Sequence, residues 1–199
     1  MATPRIDPRV LRTRDAVLGA ARQVLREEGW EQVTVRRVAE RSGYARTTLY
    51  RHWPQRLDLL RDLIREEARL THITPSGDLR ADLTAELEAF RSALSDSSLG
   101  RVVIAIGQQA RDDAELAELN RAMRTEGTRV LDAIIREAAR RGELRPSLRP
   151  DVAVAQLVGA LLFRHLFEDT EALSPEFVVC VVEDFLARAA PDPRVRRRA

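Results

Sequence analysis

The sequence predicts an all-α protein, with an N-terminal three-helix helix-turn-helix head and a larger C-terminal helical bundle. Three observations lead there. Apolar residues recur at helical spacing along nearly the whole chain, no segment sustains strand alternation, and no Asn-Gly or Asp-Gly hairpin signal occurs. An apolar fraction of 44% over 199 residues is enough for a real core, although aromatic residues make up only 5%.

The helices can be justified in order. Thr13 can cap a first helix, with Asp15 near its positive end, and Val17, Leu18, Ala21, Val24 and Leu25 form its apolar stripe. Gly29 stops it. Thr34 caps a short second helix with Val35, Val38 and Ala39 inward, and Gly43 takes the positive φ of a tight turn. A third short helix runs from Ala45 to about Tyr50, and Pro54 ends it. Two short helices joined by a glycine turn behind a longer one describe a helix-turn-helix spanning about residues 34–53.

A fourth helix starts near Arg56 and carries Leu57, Leu60, Ile64 and Ala68 until Thr74-Pro75-Ser76-Gly77 breaks it. Leu79, Leu83, Leu87, Phe90 and Leu94 mark a fifth. Val102 to Ile106 is apolar on every side, as expected of a helix in the middle of a bundle. Asp112-Asp113 opens a long helix closed by Gly142, with Gly127 a candidate kink or cavity edge. Asp151 is expected to cap the next helix, and Ser174-Pro175 to start the last. Expected boundaries are therefore a head at 10–70, a ligand-sensing and dimerisation domain at 71–190, and a basic, disordered tail at 191–199.

Charge separates these parts. Residues 1–60 hold twelve arginines against seven acidic residues, a net +5, while residues 61–187 hold sixteen against twenty-three, a net −7. Residues 188–199 add +4. A basic head on an acidic body suggests that the head meets a polyanion. Every basic residue but the histidines is arginine, so each phosphate contact must be made by a guanidinium or a neutral donor. Cys180 is the sole cysteine, the start MATPRIDPRV lacks an apolar signal region, and the apolar runs fall short of the ~20 residues a membrane span needs. A cytoplasmic protein without a membrane partner is expected.

The stretch SGYARTTLYRHWPQR, residues 42–56, is too polar for a core. Arg46, Thr47 and Thr48 stand at the start of the third helix, the end that enters a major groove. Arg46 can donate to guanine, and either threonine can bond a base edge or touch a thymine methyl. Tyr50, Arg51, His52 and Arg56 are donors spaced to follow a phosphate backbone, with Thr34 and the amides beside it a further phosphate site. Leu49 is the apolar anchor.

Residues 13–56 resemble the DNA-binding domain of TetR-type transcriptional regulators. The pattern is Thr34, Val38-Ala39, Gly43, Thr48-Leu49-Tyr50, His52, then an aromatic and a basic residue. The resemblance implies a homodimer that binds double-stranded operator DNA, usually as a repressor released by a small-molecule effector. Trp53 stands where the family usually has Phe, Arg56 where it often has Lys, and Ala45-Arg46-Thr47 where it often has Ser-x-Gly. The competing reading is a helical nucleoid or interaction protein without an effector.

In the body, the last two helices hold more apolar surface than one buried face can use. Val158, Leu161, Leu162, Val178, Val182 and Phe185 are expected at a two-fold dimer interface, where Gly159 allows close approach. Polar or soft residues on otherwise apolar helices mark the candidate effector region: Phe90, Gln108, Gln109, Met123 and His165. His165 and Glu168 are spaced i, i+3 but no second such pair exists, so no metal is expected. A glycine-rich phosphate loop and a GxSxG elbow are both missing, and Cys180 has no histidine near it in sequence. No enzyme activity and no cofactor are expected.

Overall fold

The computed structural model describes residues 8–95, 97–168 and 173–191, with the side chains of 8–11, 97–99 and 101 excepted. All but the first residue of the expected tail lie outside that set. Nine α-helices and one 3-10 turn occur among the described residues, and no strand. The helices are α1 (Pro8–Glu28), α2 (Val35–Ser42), α3 (Arg46–His52), α4 (Arg56–Thr71), α5 (Leu79–Ser95), α6 (Ser97–Gln109), α7 (Ala114–Arg140), α8 (Pro150–Phe167) and α9 (Pro175–Ala189).

Helix ends follow local chemistry, with two corrections. α1 begins at Pro8 rather than at Thr13. Proline suits a first turn, where its fixed φ is helical and its missing N–H would have had no partner. Asp151 lies in the first turn of α8 behind the N-cap Arg149 and Pro150, and pairs with Arg149 at 2.6 Å instead of capping. Elsewhere the caps fall as expected. Thr34 Oγ1 accepts from Arg37 N, Asp113 accepts from Glu115 N and Leu116 N, and Ser174 Oγ accepts from Phe177 N. Gly43 turns the chain between α2 and α3 at φ 74° and ψ 3°, a left-handed conformation that a side chain would strain.

The chain divides into two compact units. One comprises the described residues up to Leu70 together with Ser98–Glu126; the other comprises Thr71–Ser97 and the described residues from Gly127 onward. α7 is helical on both sides of Gly127, where the division falls. In the first unit Val17, Ala21 and Val24 of α1 pack with Val35, Val38 and Leu49, and with Leu59, Leu60, Val102, Ile106 and Leu119. In α6 only Val102 and Ile106 of the 102–106 run are fully buried; Val103, Ile104 and Ala105 are half-buried, so that helix is not enclosed on all sides.

The second unit is built on α5, α8, α9 and the last half of α7, around Leu83, Leu87, Ile135, Leu157, Leu161, Val178 and Val182. This corrects four of the six expected dimer residues. Leu161, Val178 and Val182 are 0% exposed and Phe185 is 3% exposed, so all four belong to the protomer's own core. Val158 and Leu162 are half-buried at its edge. The apolar surplus is real but faces the other way: Val152, Phe163, Leu166 and Phe167 on α8 and Val179 on α9 are exposed. α8 also reaches the length and hydropathy of a membrane span by composition, contrary to the sequence reading, but Ala153, Leu157 and Leu161 commit its inner face to the core.

Candidate nucleic-acid interface

α3 has seven residues, and Ala45 offers no side chain to cap it. A helix this short is not stable alone in water, so packing must hold it. Leu49 supplies most of that, fully buried against α1 and α2, and burying one leucine stabilises by about 1.5–3 kcal/mol. Trp53 closes the other end: it is buried, and its indole Nε1 donates to Asp62 Oδ2 on α4 at 2.9 Å. Asp62 also pairs with Arg14 of α1 at 3.0 Å, which ties three helices to one carboxylate.

With Leu49 and Trp53 turned inward, helical geometry turns the remaining residues outward. Arg46, Thr47, Tyr50, Arg51 and His52 are exposed and Thr48 is half-buried. The His52 ring lies tilted against that of Trp53, with ring centroids 5.7 Å apart. The hydroxyl of Thr34 accepts from Arg37 N at 3.1 Å, which leaves its proton to donate outward.

The arginines are less available than their number suggests. Arg37 makes a bidentate pair with Glu28 at 2.8 and 2.9 Å, and Arg41 pairs with Glu27 and Glu28. The hydrogen bond from Arg37 holds the Glu28 carboxyl below its ordinary value. Two acids at the C-terminal end of α1 would oppose the helix dipole, and the α2 arginines offset them. Arg46 Nη2 donates to Glu40 Oε1 at 2.8 Å, and Arg36 stands 3.8 Å from the same carboxylate. Among the described residues 34–56, Arg51 is the arginine left with no intramolecular partner.

Arg56, expected as a phosphate donor, is engaged within the protein. Its Nε donates to Val33 O at 2.9 Å and its Nη2 to Trp30 O at 2.7 Å, with Cζ 4.9 Å from the centre of the Trp30 ring. Burial lowers its pKa, partly countered by Glu31, but an arginine remains charged at neutral pH. Sequence reasoning missed Glu40, Asp62 and Trp30 as parts of this surface. Their partners stand six, nine and twenty-six residues away across turns, beyond any helical spacing rule.

The candidate effector residues are divided between the units. Gln108 and Gln109 are exposed at the end of α6, and Met123 is half-buried against the first core. Phe90 is half-buried against the second core and His165 is half-buried on α8.

Comparison with known proteins agrees with the geometry. Residues 17–63 match the family described as "Bacterial regulatory proteins, tetR family", and residues 73–185 match "Tetracyclin repressor-like, C-terminal domain". The chain is 30% identical over 164 residues to the HTH-type transcriptional repressor BepR of Brucella suis biovar 1 (strain 1330), covering 75% of this chain and 77% of that protein. It is 27% identical to the HTH-type transcriptional regulator YdeS of Bacillus subtilis (strain 168), covering 86% and 87%. Among solved structures, the TetR family transcription regulator SCO0332 superposes with a TM-score of 0.73 at 32% identity, covering 90% of this chain and 99% of that one. A SmeT–triclosan complex shares the fold with a TM-score of 0.61 at 19% identity, covering 92% and 93%.

Proposed function

The chain belongs to the TetR family of DNA-binding, helix-turn-helix transcriptional regulators, and from that premise we propose that it is a cytoplasmic repressor that binds a palindromic operator as a homodimer and is released by a small-molecule effector. The observation that carries the reading is the outer face of α3. Thr47, Tyr50 and Arg51 are exposed there without intramolecular partners, on a helix whose other face is fixed by Leu49 and Trp53. Residues 10–70 serve as the DNA-binding domain and 71–190 as the sensing and dimerisation domain. Arg46, Thr47 and Thr48 read bases, while Thr34, Tyr50, Arg51 and His52 hold phosphates.

Dimerisation is supported by the outer faces of α8 and α9. Val152, Phe163, Leu166 and Phe167 recur at helical spacing on α8, beside Val179 on α9. Gly159 lies on the same exposed side, where an added Cβ would meet nothing within 4 Å of its own chain, so a second helix can approach closely. A two-fold pair sets two reading helices roughly 34–36 Å apart, the repeat of the major groove. The SmeT complex with triclosan supports an effector in kind, because that protein shares this fold. Phe90, Met123 and His165 are the side chains to probe for it, with Gln108 and Gln109 at the end of α6.

The test is selection of bound duplexes from a random pool by the full chain, followed by screening of small molecules for release. A palindromic consensus with ligand-dependent release is expected. Enrichment of no sequence, with equal binding to every duplex, would favour the nucleoid-type reading instead.

A further inference from the structure

The Arg56 guanidinium uses its Nε, its Nη2 and its face on one short stretch of chain. Trp30 O and Val33 O accept from it, and the Trp30 ring lies beneath it. That stretch immediately precedes Thr34. The 3-10 turn Trp30–Gln32 ends with Val33 N donating to Trp30 O at 3.1 Å, and Thr34 N donates to Gln32 O at 2.8 Å. Thr34 then caps α2 through Arg37 N. Position and direction of the α2 start are therefore set by the backbone that Arg56 holds.

Besides its own backbone hydrogen bonds, the turn is held through its carbonyls by Arg56. Trp30 is buried, and its Nε1 finds no hydrogen-bond partner. The indole is thus kept in place by packing and by the guanidinium stacked on it. A lysine could not substitute, since an ammonium lacks the planar fork that reaches two carbonyls while stacking on a ring.

We propose that Arg56 is a positioning residue for DNA binding: from the first turn of α4 it clamps the Trp30–Val33 backbone, and so fixes Thr34 and the start of α2 without itself contacting DNA. The proposal rests on Thr34 facing DNA, and Thr34→Ala tests that separately. Unchanged DNA binding by the Thr34 variant would remove the phosphate role, not the clamp.

The experiment uses the full chain, the duplex it selects from a random pool, and the variants Arg56→Lys and Arg56→Gln. Both variants should lose operator affinity by roughly tenfold, as expected when a charge-assisted hydrogen bond is lost. The salt dependence should keep its slope, and amide exchange at Thr34–Arg37 should accelerate well below the melting temperature. Wild-type-like affinity for Arg56→Lys, with a slope shallower by about 0.9 for Arg56→Gln, would make Arg56 a phosphate contact and overturn the proposal. Lower melting temperatures with unchanged affinity and unchanged exchange would overturn it too, reducing Arg56 to a stabilising residue. If neither variant folds, NMR of the unaltered protein decides. A protected Arg56 Nε–H that holds its shift when DNA is added supports the clamp, and one that moves as Arg51 does refutes it.

Discussion

Arg46 Nη2 lies 2.8 Å from Glu40 Oε1 across the Gly43 turn, so the arginine proposed as a base reader is already paired within the protein. On the proposed role, DNA binding exchanges that carboxylate for a base edge. Both groups are largely exposed, which makes the exchange cheap. Glu40→Gln should therefore strengthen operator binding by about 0.5–1 kcal/mol at low salt, with the gain fading as salt rises. Arg46→Ala should cost about 1–3 kcal/mol and relax discrimination at one base pair. Weaker binding by Glu40→Gln would mean that the carboxylate orients Arg46 rather than competing for it.

Arg51 and Tyr50 face outward without partners, and their proposed role carries no sequence information. Arg51→Ala should shallow the salt dependence of binding by about 0.9 in slope, one phosphate's worth. Tyr50→Phe should weaken specific and random duplexes alike. Titrations on both duplexes at several salt concentrations measure this, and a loss confined to the operator would assign either residue to the bases.

The two faces of α8 should respond differently to substitution. Phe163→Glu combined with Phe167→Arg, at exposed positions, should give a folded monomer by sedimentation and abolish operator binding. Leu161→Ala, in the core, should instead destabilise the fold by about 2–5 kcal/mol in urea while the folded fraction stays dimeric. Cys180, exposed on the outer side of α9, should react faster with a thiol reagent in the monomeric variant than in the unaltered protein.

Asp82 gives the second unit a pH dependence. It is buried, and desolvation alone would raise its pKa, but hydrogen bonds from Ser76 Oγ, Ser76 N and Gly77 N outweigh that and lower it. A depressed carboxylate stabilises the fold above its unfolded value and ceases to as pH falls through its folded value. Asp82→Ala should cost about 1–3 kcal/mol at neutral pH. The difference from the unaltered protein should narrow below about pH 4. A difference that persists undiminished in acid would show that Asp82 acts through packing.

The all-α class, the order of the helices, the Thr34 and Ser174 caps and the Gly43 turn were all legible in the sequence, because each depends on residues within a turn or two of one another. So was the inward Leu49, the apolar anchor of a polar stretch. Tertiary structure alone decided which side of α8 and α9 is core: both sides are apolar, and only the packing of α5 and α7 shows that Leu161 and Val182 are already buried. It also grouped α6 and the first half of α7 with the head, a pairing between segments far apart in the chain. The same holds for the arginines. Sequence counts them as a net +5 head, but a charge is free or spent according to which carboxylate or carbonyl the fold places beside it, and that separates Arg51 from Arg46 and Arg56.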